Sequence, residues 1–303
     1  MSKIDGPRAK GGRLEIVAVV LVIIVCMIGT WIVARATAPG AGDGKGANNA
    51  NSISRMEENS IGDSELESLG DAVISPDEIV IDESKTQLTY IRLDNGMHLG
   101  TVNERFARPA LSLSKLYIAD YVIDEGTEEE KYQALQMIST SDDGIANDLF
   151  ESYPESIDAV AEKYGLYATE SGEYWGHSVT STYDVAKFID ALRNEDVLHP
   201  VLVAMSQPDE VAADGYEQDF GTAVLDGVVG TKWGWSNNRQ IHSSVSFGDN
   251  FIVAASVSGS AEDLTKLVRT QLSEEKLRDA ATWFSESQKS RSGSASQQRI
   301  ITD

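Results

Sequence analysis

Ser112 and Lys115 stand three residues apart, directly after Arg108, Pro109 and Ala110, at the expected start of a helix. Residues three apart on a helix share a face. A serine hydroxyl is a weak nucleophile until a base takes its proton, and a lysine amine can do so when burial or a neighbouring cation discourages its charge. A serine in the first helical turn also meets the positive end of the helix dipole. The same Ser-x-x-Lys spacing recurs at Ser273 and Lys276, but inside the charged run QLSEEK, which reads as solvated surface. The first copy instead enters an apolar helix through Leu116, Ile118, Ala119 and Val122. Downstream, Ser141-Asp142-Asp143 supplies a second hydroxyl with two carboxylates, and Lys232-Trp233-Gly234-Trp235 supplies a second amine.

Positioning these groups requires a sheet and a helical body. Residues 86–93 and 97–103 are strand-like and joined by Asp94-Asn95-Gly96, a strong hairpin signal. Helical patterns cover residues 128–138, 146–152, 154–164 and 183–193, the last preceded by Thr180-Ser181-Thr182 as N-cap candidates. Strands follow at 230–235, 242–247 and 251–258, then a helix over 261–284. This order predicts an α+β, three-layer fold: an antiparallel sheet flanked by helices and carrying a helical insertion, with a cleft between sheet and insertion. Trp233 and Trp235 are read as facing opposite ways, one into the cleft and one beneath a helix.

Ahead of that domain, residues 16–34 (IVAVVLVIIVCMIGTWIVA) carry no charge and are long enough for a hydrocarbon core of about 30 Å. Lys3, Arg8, Lys10 and Arg13 precede the run, so the positive-inside tendency keeps residues 1–13 in the cytoplasm and exports the carboxy-terminal domain. The expectation is a single-pass cell-membrane protein anchored in the lipid bilayer by residues 14–36. A cleaved signal peptide is the rival reading, disfavoured because the apolar core exceeds the ~7 to 15 residues of a signal sequence. Residues 37–78 are rich in Gly, Asn, Ser, Asp and Glu and read as a disordered tether, residues 79–284 as the domain, and 285–303 as a disordered polar tail.

With 25 Lys and Arg against 48 Asp and Glu, the net charge of −23 argues against nucleic acid as a partner. The lone Cys26 permits no internal disulfide. His177, His199 and His242 lack metal-site spacing, so neither metal nor cofactor is expected.

The segment TYIRLDNGMHLGTVNERFARPALSLSKLYIA resembles the start of the serine β-lactamase and D-alanyl-D-alanine carboxypeptidase (penicillin-binding) superfamily, with a class A β-lactamase-like arrangement. Residues 137–147 resemble its Ser-Asp-Asn loop and residues 230–235 its Lys-Thr-Gly strand, so the resemblance spans roughly residues 86–284. It implies Ser112 as the acylated nucleophile, Lys115 as its proton acceptor, Ser141 as a relay to the leaving nitrogen and Lys232 as a cation. The backbone N–H groups of Ser112 and Trp235 would form the oxyanion hole, with Asp143, Trp233, Gly234 and Trp235 lining the substrate site.

The chain departs from that pattern in three places. Asp143 stands where the family has Asn, replacing an amide donor by a carboxylate that only accepts. Trp233 replaces a small threonine. The loop at 170–177 has no Glu-x-x-Leu-Asn, and its Glu173 reads as a solvated residue. Two functions remain open on these grounds: a membrane-anchored serine hydrolase acting on a β-lactam or a peptidoglycan D-alanyl peptide, or a catalytically degenerate domain serving as a cell-envelope binding or scaffold module. A purely structural spacer is a third, weaker reading, and the sequence names no protein partner.

Overall fold

The structure is a computed structural model, and it describes residues 81–298. The expected cytoplasmic stub, membrane helix, tether and domain start at residue 79 therefore lie outside the described residues. Among the described residues no helix is long and apolar enough to cross a membrane.

Five strands form one antiparallel sheet: β1 (Thr86–Arg92), β2 (His98–Gly100), β5 (Val228–Trp235), β6 (His242–Gly248) and β7 (Phe251–Val257), in the order β2-β1-β7-β6-β5. The first hairpin closes where the sequence signals it. Gly96 takes the left-handed φ of +72° that a side chain would resist, and the Asn95 side chain accepts from the Met97 N–H. A two-stranded ribbon of β3 (Arg108–Pro109) and β4 (Val179–Thr180) ties the segment before Ser112 to the later helical region.

The helical body comprises α1 (Ser114–Glu125), α2 (Glu128–Thr140), α3 (Asp143–Ser152), α4 (Ser156–Tyr164), α5 (Thr182–Glu195) and α6 (Pro200–Met205). Capping fixes its junctions. Thr127 and Glu130 form a reciprocal capping box at α2, Asp142 accepts from the Gly144 and Ile145 N–H groups at α3, and Ser181 accepts from Asp184 at α5. Leu116, Ile118, Val122, Met137, Ile138, Phe188 and Ile189 fill the core between this body and one sheet face, where Val245, Phe247, Ile252 and Ala254 meet them.

The opposite face packs Leu88, Tyr90, Trp233, Val253 and Val257 against α7 (Ala261–Gln271) through Leu264 and Val268. Two cores on either side of one sheet give the three layers expected from the element order.

Three local expectations are corrected and one element is added. The strand read over 97–103 is only β2, because the chain turns away at Thr101, whose N–H donates to the Leu88 carbonyl. The helix read over 261–284 breaks at Leu272, which leaves helical backbone at φ −116°, ψ 35°, and resumes as α8 (Glu274–Gln298). That helix runs on through the stretch read as a tail from 285, leaving only 299–303 outside the described residues. The short α6, started by Pro200 at its first turn, is not apparent in the sequence pattern.

One buried carboxylate is poorly compensated. Asp120 of α1 is 1% exposed, both its oxygens lack a hydrogen-bond donor, and Lys163 Nζ and His199 Nε2 each stand 3.5 Å away. Burial raises its pKa to about 6, with Lys163 opposing and Asp124 and Glu195 reinforcing the rise. The native state therefore keeps a proton that the unfolded chain releases between its unperturbed value and about 6, so this contribution to stability falls as pH rises through that window and levels off above it. Asp120→Asn is expected to stabilise the domain by roughly 2 to 3 kcal/mol more at pH 8 than at pH 4. Thermal unfolding of both proteins at the two pH values checks this; a gain independent of pH would contradict it.

Candidate active site

Ser112 lies in a 3-10 turn, Leu111–Leu113, that leads into α1. Leu111 adopts φ +55°, a left-handed conformation that costs a branched side chain about 1 to 2 kcal/mol. Ser141, at the carboxyl end of α2, has φ 54°, and Arg239, in the turn after β5, has φ 58°. Among the described residues these are the three non-glycine positions with positive φ. Such strain persists only where surrounding packing imposes it, and two of the three segments carry the serines singled out by sequence.

β5 presses against the Ser112 turn at Gly234. A Cβ there would lie 2.9 Å from Leu111 Cβ, 3.0 Å from the Ser112 backbone nitrogen and 2.8 Å from Ser243 Oγ. Only glycine allows that approach. Across the ladder, the Ser236 N–H donates to the Ile241 carbonyl at 2.9 Å, so by the alternation of antiparallel pairing the Trp235 N–H points away from β6, off the outer edge of the sheet. The Ser112 nitrogen thus lies against β5 one residue before the outward-pointing Trp235 N–H. Ser112 itself is 7% exposed.

Lys115 is fully buried and its hydrogen bonds are specific. Its Nζ donates to the Ser141 carbonyl at 2.7 Å and to Asp143 Oδ1 at 2.5 Å, and it sits 4.6 Å from the centre of the Trp175 ring. Burial lowers the Lys115 pKa, while Asp143 first, then Asp142 and Asp214, push back. The amino end of α1 also disfavours a cation. Trp175 is held by its own donation from Nε1 to Asn147 Oδ1 at 2.7 Å.

Lys232 is likewise fully buried, and its Nζ has no hydrogen-bond partner. Burial, then the charge of Lys115, hold its pKa well below the ordinary lysine range, against the attraction of Asp143. The Ser141 Oγ is also buried and without a partner. The structure therefore brings Ser112, Lys115, Ser141, Asp143, Lys232 and Gly234 together. The Lys115 ammonium, however, is bonded to Asp143 and the Ser141 carbonyl rather than to the Ser112 hydroxyl.

The tryptophans behave differently from expectation. Positions two apart on a strand share a face, and both rings touch Phe220, at 6.5 and 6.4 Å between centroids. Trp233 Nε1 donates to the Phe220 carbonyl inside the second core, so its bulk lies on the face opposite Lys232 and does not fill the substrate space. Trp235 is half-buried, donates from Nε1 to Asp214 Oδ2 and lies tilted against the Tyr216 ring; Arg239 pairs with the same Asp214. Glu173 is exposed, as a solvated loop residue would be.

The role of Trp175 beneath Lys115 escapes sequence reasoning, because the contact joins residues sixty positions apart and no local pattern announces it. His242 is a packing residue, bonded through Nε2 to the Tyr216 hydroxyl and through Nδ1 to the Gly259 carbonyl.

Comparison with solved structures gives the class of this fold. A halotolerant bacterial β-lactamase matches at 15% identity and TM-score 0.50, over 62% of this chain and 94% of its own. The β-lactamase of Sphaerobacter thermophilus matches at 14% identity and the same TM-score, over 62% and 90%. An ancestral class A β-lactamase does so at 13% and 0.50, over 61% and 92%. No protein-family model and no curated protein matches the chain in sequence. The domain has the serine β-lactamase fold, shared at the level of architecture.

Gly234→Ala is expected to destabilise the domain by about 1 to 3 kcal/mol, since the new Cβ must displace backbone at Ser112. Denaturant unfolding measures it, and an unchanged midpoint would contradict the close approach.

Proposed function

We propose that this chain is a serine hydrolase working through an acyl-serine, with a β-lactam or a peptidoglycan D-alanyl peptide as substrate and Ser112 as the nucleophile. The observation that carries the reading is the approach of the Ser112 turn to β5 at Gly234, beside two buried lysine amines and an unpartnered serine hydroxyl.

Ser112 Oγ attacks the carbonyl carbon as its proton passes to a lysine amine. The carbonyl electron pair moves onto oxygen and is met by the Ser112 and Trp235 N–H groups, donors fixed in advance of charge development. Collapse re-forms the carbonyl and breaks the carbon–nitrogen bond, with Ser141 passing a proton to the leaving nitrogen. Water then releases the acyl group. The superfamily motifs in the sequence support these roles, and the apolar run at 16–34 supports a membrane-anchored, extracytoplasmic placement for the domain.

A second reading is a binding module that retains the fold without turnover. It is favoured by the Asp143 carboxylate, which occupies Lys115 where the superfamily carries an amide, and by the slight exposure of Ser112.

Incubation with a fluorescent penicillin is expected to label the wild-type protein at Ser112 and to leave Ser112→Ala unlabelled. Absence of an adduct, together with no hydrolysis of D-alanyl peptides, would sink the hydrolase. Retention of peptidoglycan binding by Ser112→Ala would then support the module.

A further inference from the structure

The segment that carries Ser112 and Lys115 is tied at both ends to one residue, Thr180. Ahead of the turn, Arg108 lies opposite Thr180 in the β3–β4 ladder, and the Ala110 N–H donates to the Ser178 carbonyl at 2.9 Å. Beyond it, on α1, the Tyr117 hydroxyl stands 2.8 Å from Thr180 Oγ1. Residues 108–117 therefore form a closed loop with Thr180 as its clasp. Leu111, with its φ of +55°, lies inside that loop together with Ser112 and Lys115.

The clasp is anchored in its turn. Thr169 Oγ1 donates to Asp184 Oδ2 at 2.9 Å, the same oxygen accepts from the Ala168 N–H at 2.7 Å, and the Thr169 and Thr180 hydroxyl oxygens are 2.8 Å apart. A hydroxyl has one proton to donate. With the Thr169 proton committed to Asp184, Thr180 donates to Thr169 and Tyr117 donates to Thr180, so the carboxylate sets the direction of the whole chain. Tyr117, Thr169, Thr180 and Asp184 are all buried, where a polar group left without a partner costs about 1 to 3 kcal/mol. Phe188 of α5 meets the Tyr117 ring edge-on at 5.1 Å between centroids and limits where its hydroxyl can reach.

A left-handed leucine does not hold itself; its strain lasts only while the surrounding structure imposes it. The orientation of Ser112, one residue on, depends on that conformation. Gly234 meets the turn itself, and the bonds at Thr180 hold its two flanks.

We propose that Thr180 is a positioning residue for the acyl-serine reaction: by closing residues 108–117 into a loop it keeps Leu111 left-handed and so aims Ser112. The kinetic consequence rests on the acyl-serine reading above, whereas the structural one rests on the hydrogen-bond chain alone. Thr180 acts through Tyr117 and β3, not by touching substrate.

Two measurements on the full chain test this. Thr180→Val keeps the branched shape and removes the hydroxyl; Thr180→Ser restores it. In saturation kinetics with a fluorescent penicillin, Thr180→Val is expected to lower the limiting acylation rate by about tenfold to a hundredfold at an unchanged half-saturating concentration, the cost of a nucleophile displaced by about 1 Å. Thr180→Ser is expected to recover most of that rate. Tyr117→Phe removes the same bond from its other end, so the double variant is expected to be no slower than Thr180→Val alone. A Thr180→Val protein that acylates at the wild-type rate, or a loss that serine does not rescue, overturns the inference.

Amide hydrogen exchange reads the clasp without any reaction. The Leu113 N–H, which donates to the Ala110 carbonyl at 3.1 Å, is expected to exchange about tenfold faster or more in Thr180→Val, while the amides of β6 and β7 keep their wild-type rates. Unchanged exchange at Leu113, or equal acceleration throughout the sheet, overturns the inference whether or not the protein is acylated. A wild type that forms no adduct, with Leu113 exchange still accelerated by the variant, upholds the clasp and removes the hydrolase reading alone. Should Thr180→Val fail to fold, Tyr117→Phe carries the same expectations in both measurements.

Discussion

The burial of the Lys115 ammonium constrains the whole helical body. A cation removed from water must find acceptors, and here both come from one short stretch, the Ser141 carbonyl and the Asp143 carboxylate. Satisfying it fixes the end of α2, the start of α3 and the start of α1 relative to one another. Ser141 accepts a left-handed backbone as part of that arrangement, since only a sharp reversal between α2 and α3 turns its carbonyl toward the amine. Trp175 closes the remaining side through the aromatic face it presents to the cation.

The sheet contributes the second half of the site. Lys232 and Gly234 face the helical body while Trp233 anchors β5 from behind, its indole bonded to the Phe220 carbonyl. Replacing a small residue by tryptophan at 233 therefore strengthens the second core instead of filling the substrate space. Position 143 differs in kind, because a carboxylate there changes the charge of the site and pairs with Lys115. The three left-handed residues lie in the Ser112 turn, at the α2–α3 junction and in the turn after β5, where packing holds conformations that local preference would abandon.

Much of this was legible in the sequence because it is local. The Asp94-Asn95-Gly96 turn, the Ser181 cap and the order of hydroxyl, amine, hydroxyl and amine all show in short windows, and the layered α+β architecture follows from the element order. Parity along β5 also fixes the direction of Trp233 once Lys232 is assigned to the site, and it places Trp235 on the same face as Trp233. What stayed hidden depends on distant contacts: Trp175 under Lys115, the close approach of Gly234 to Ser112, and the break at Leu272, whose side chain is buried in the second core. The pairing of Lys115 with Asp143 was equally out of reach, since sequence alone showed a lost donor and not a gained counter-ion.

A crystal structure of the protein soaked with a boronic acid, which forms a tetrahedral adduct only with an activated serine, tests the convergence of these groups most directly. The expected result is boron bonded to Ser112 Oγ, one boronate oxygen between the Ser112 and Trp235 N–H groups, and Lys115 still bonded to Asp143. A free Ser112 hydroxyl, with Lys115 or Lys232 turned away from it, would contradict the site described here.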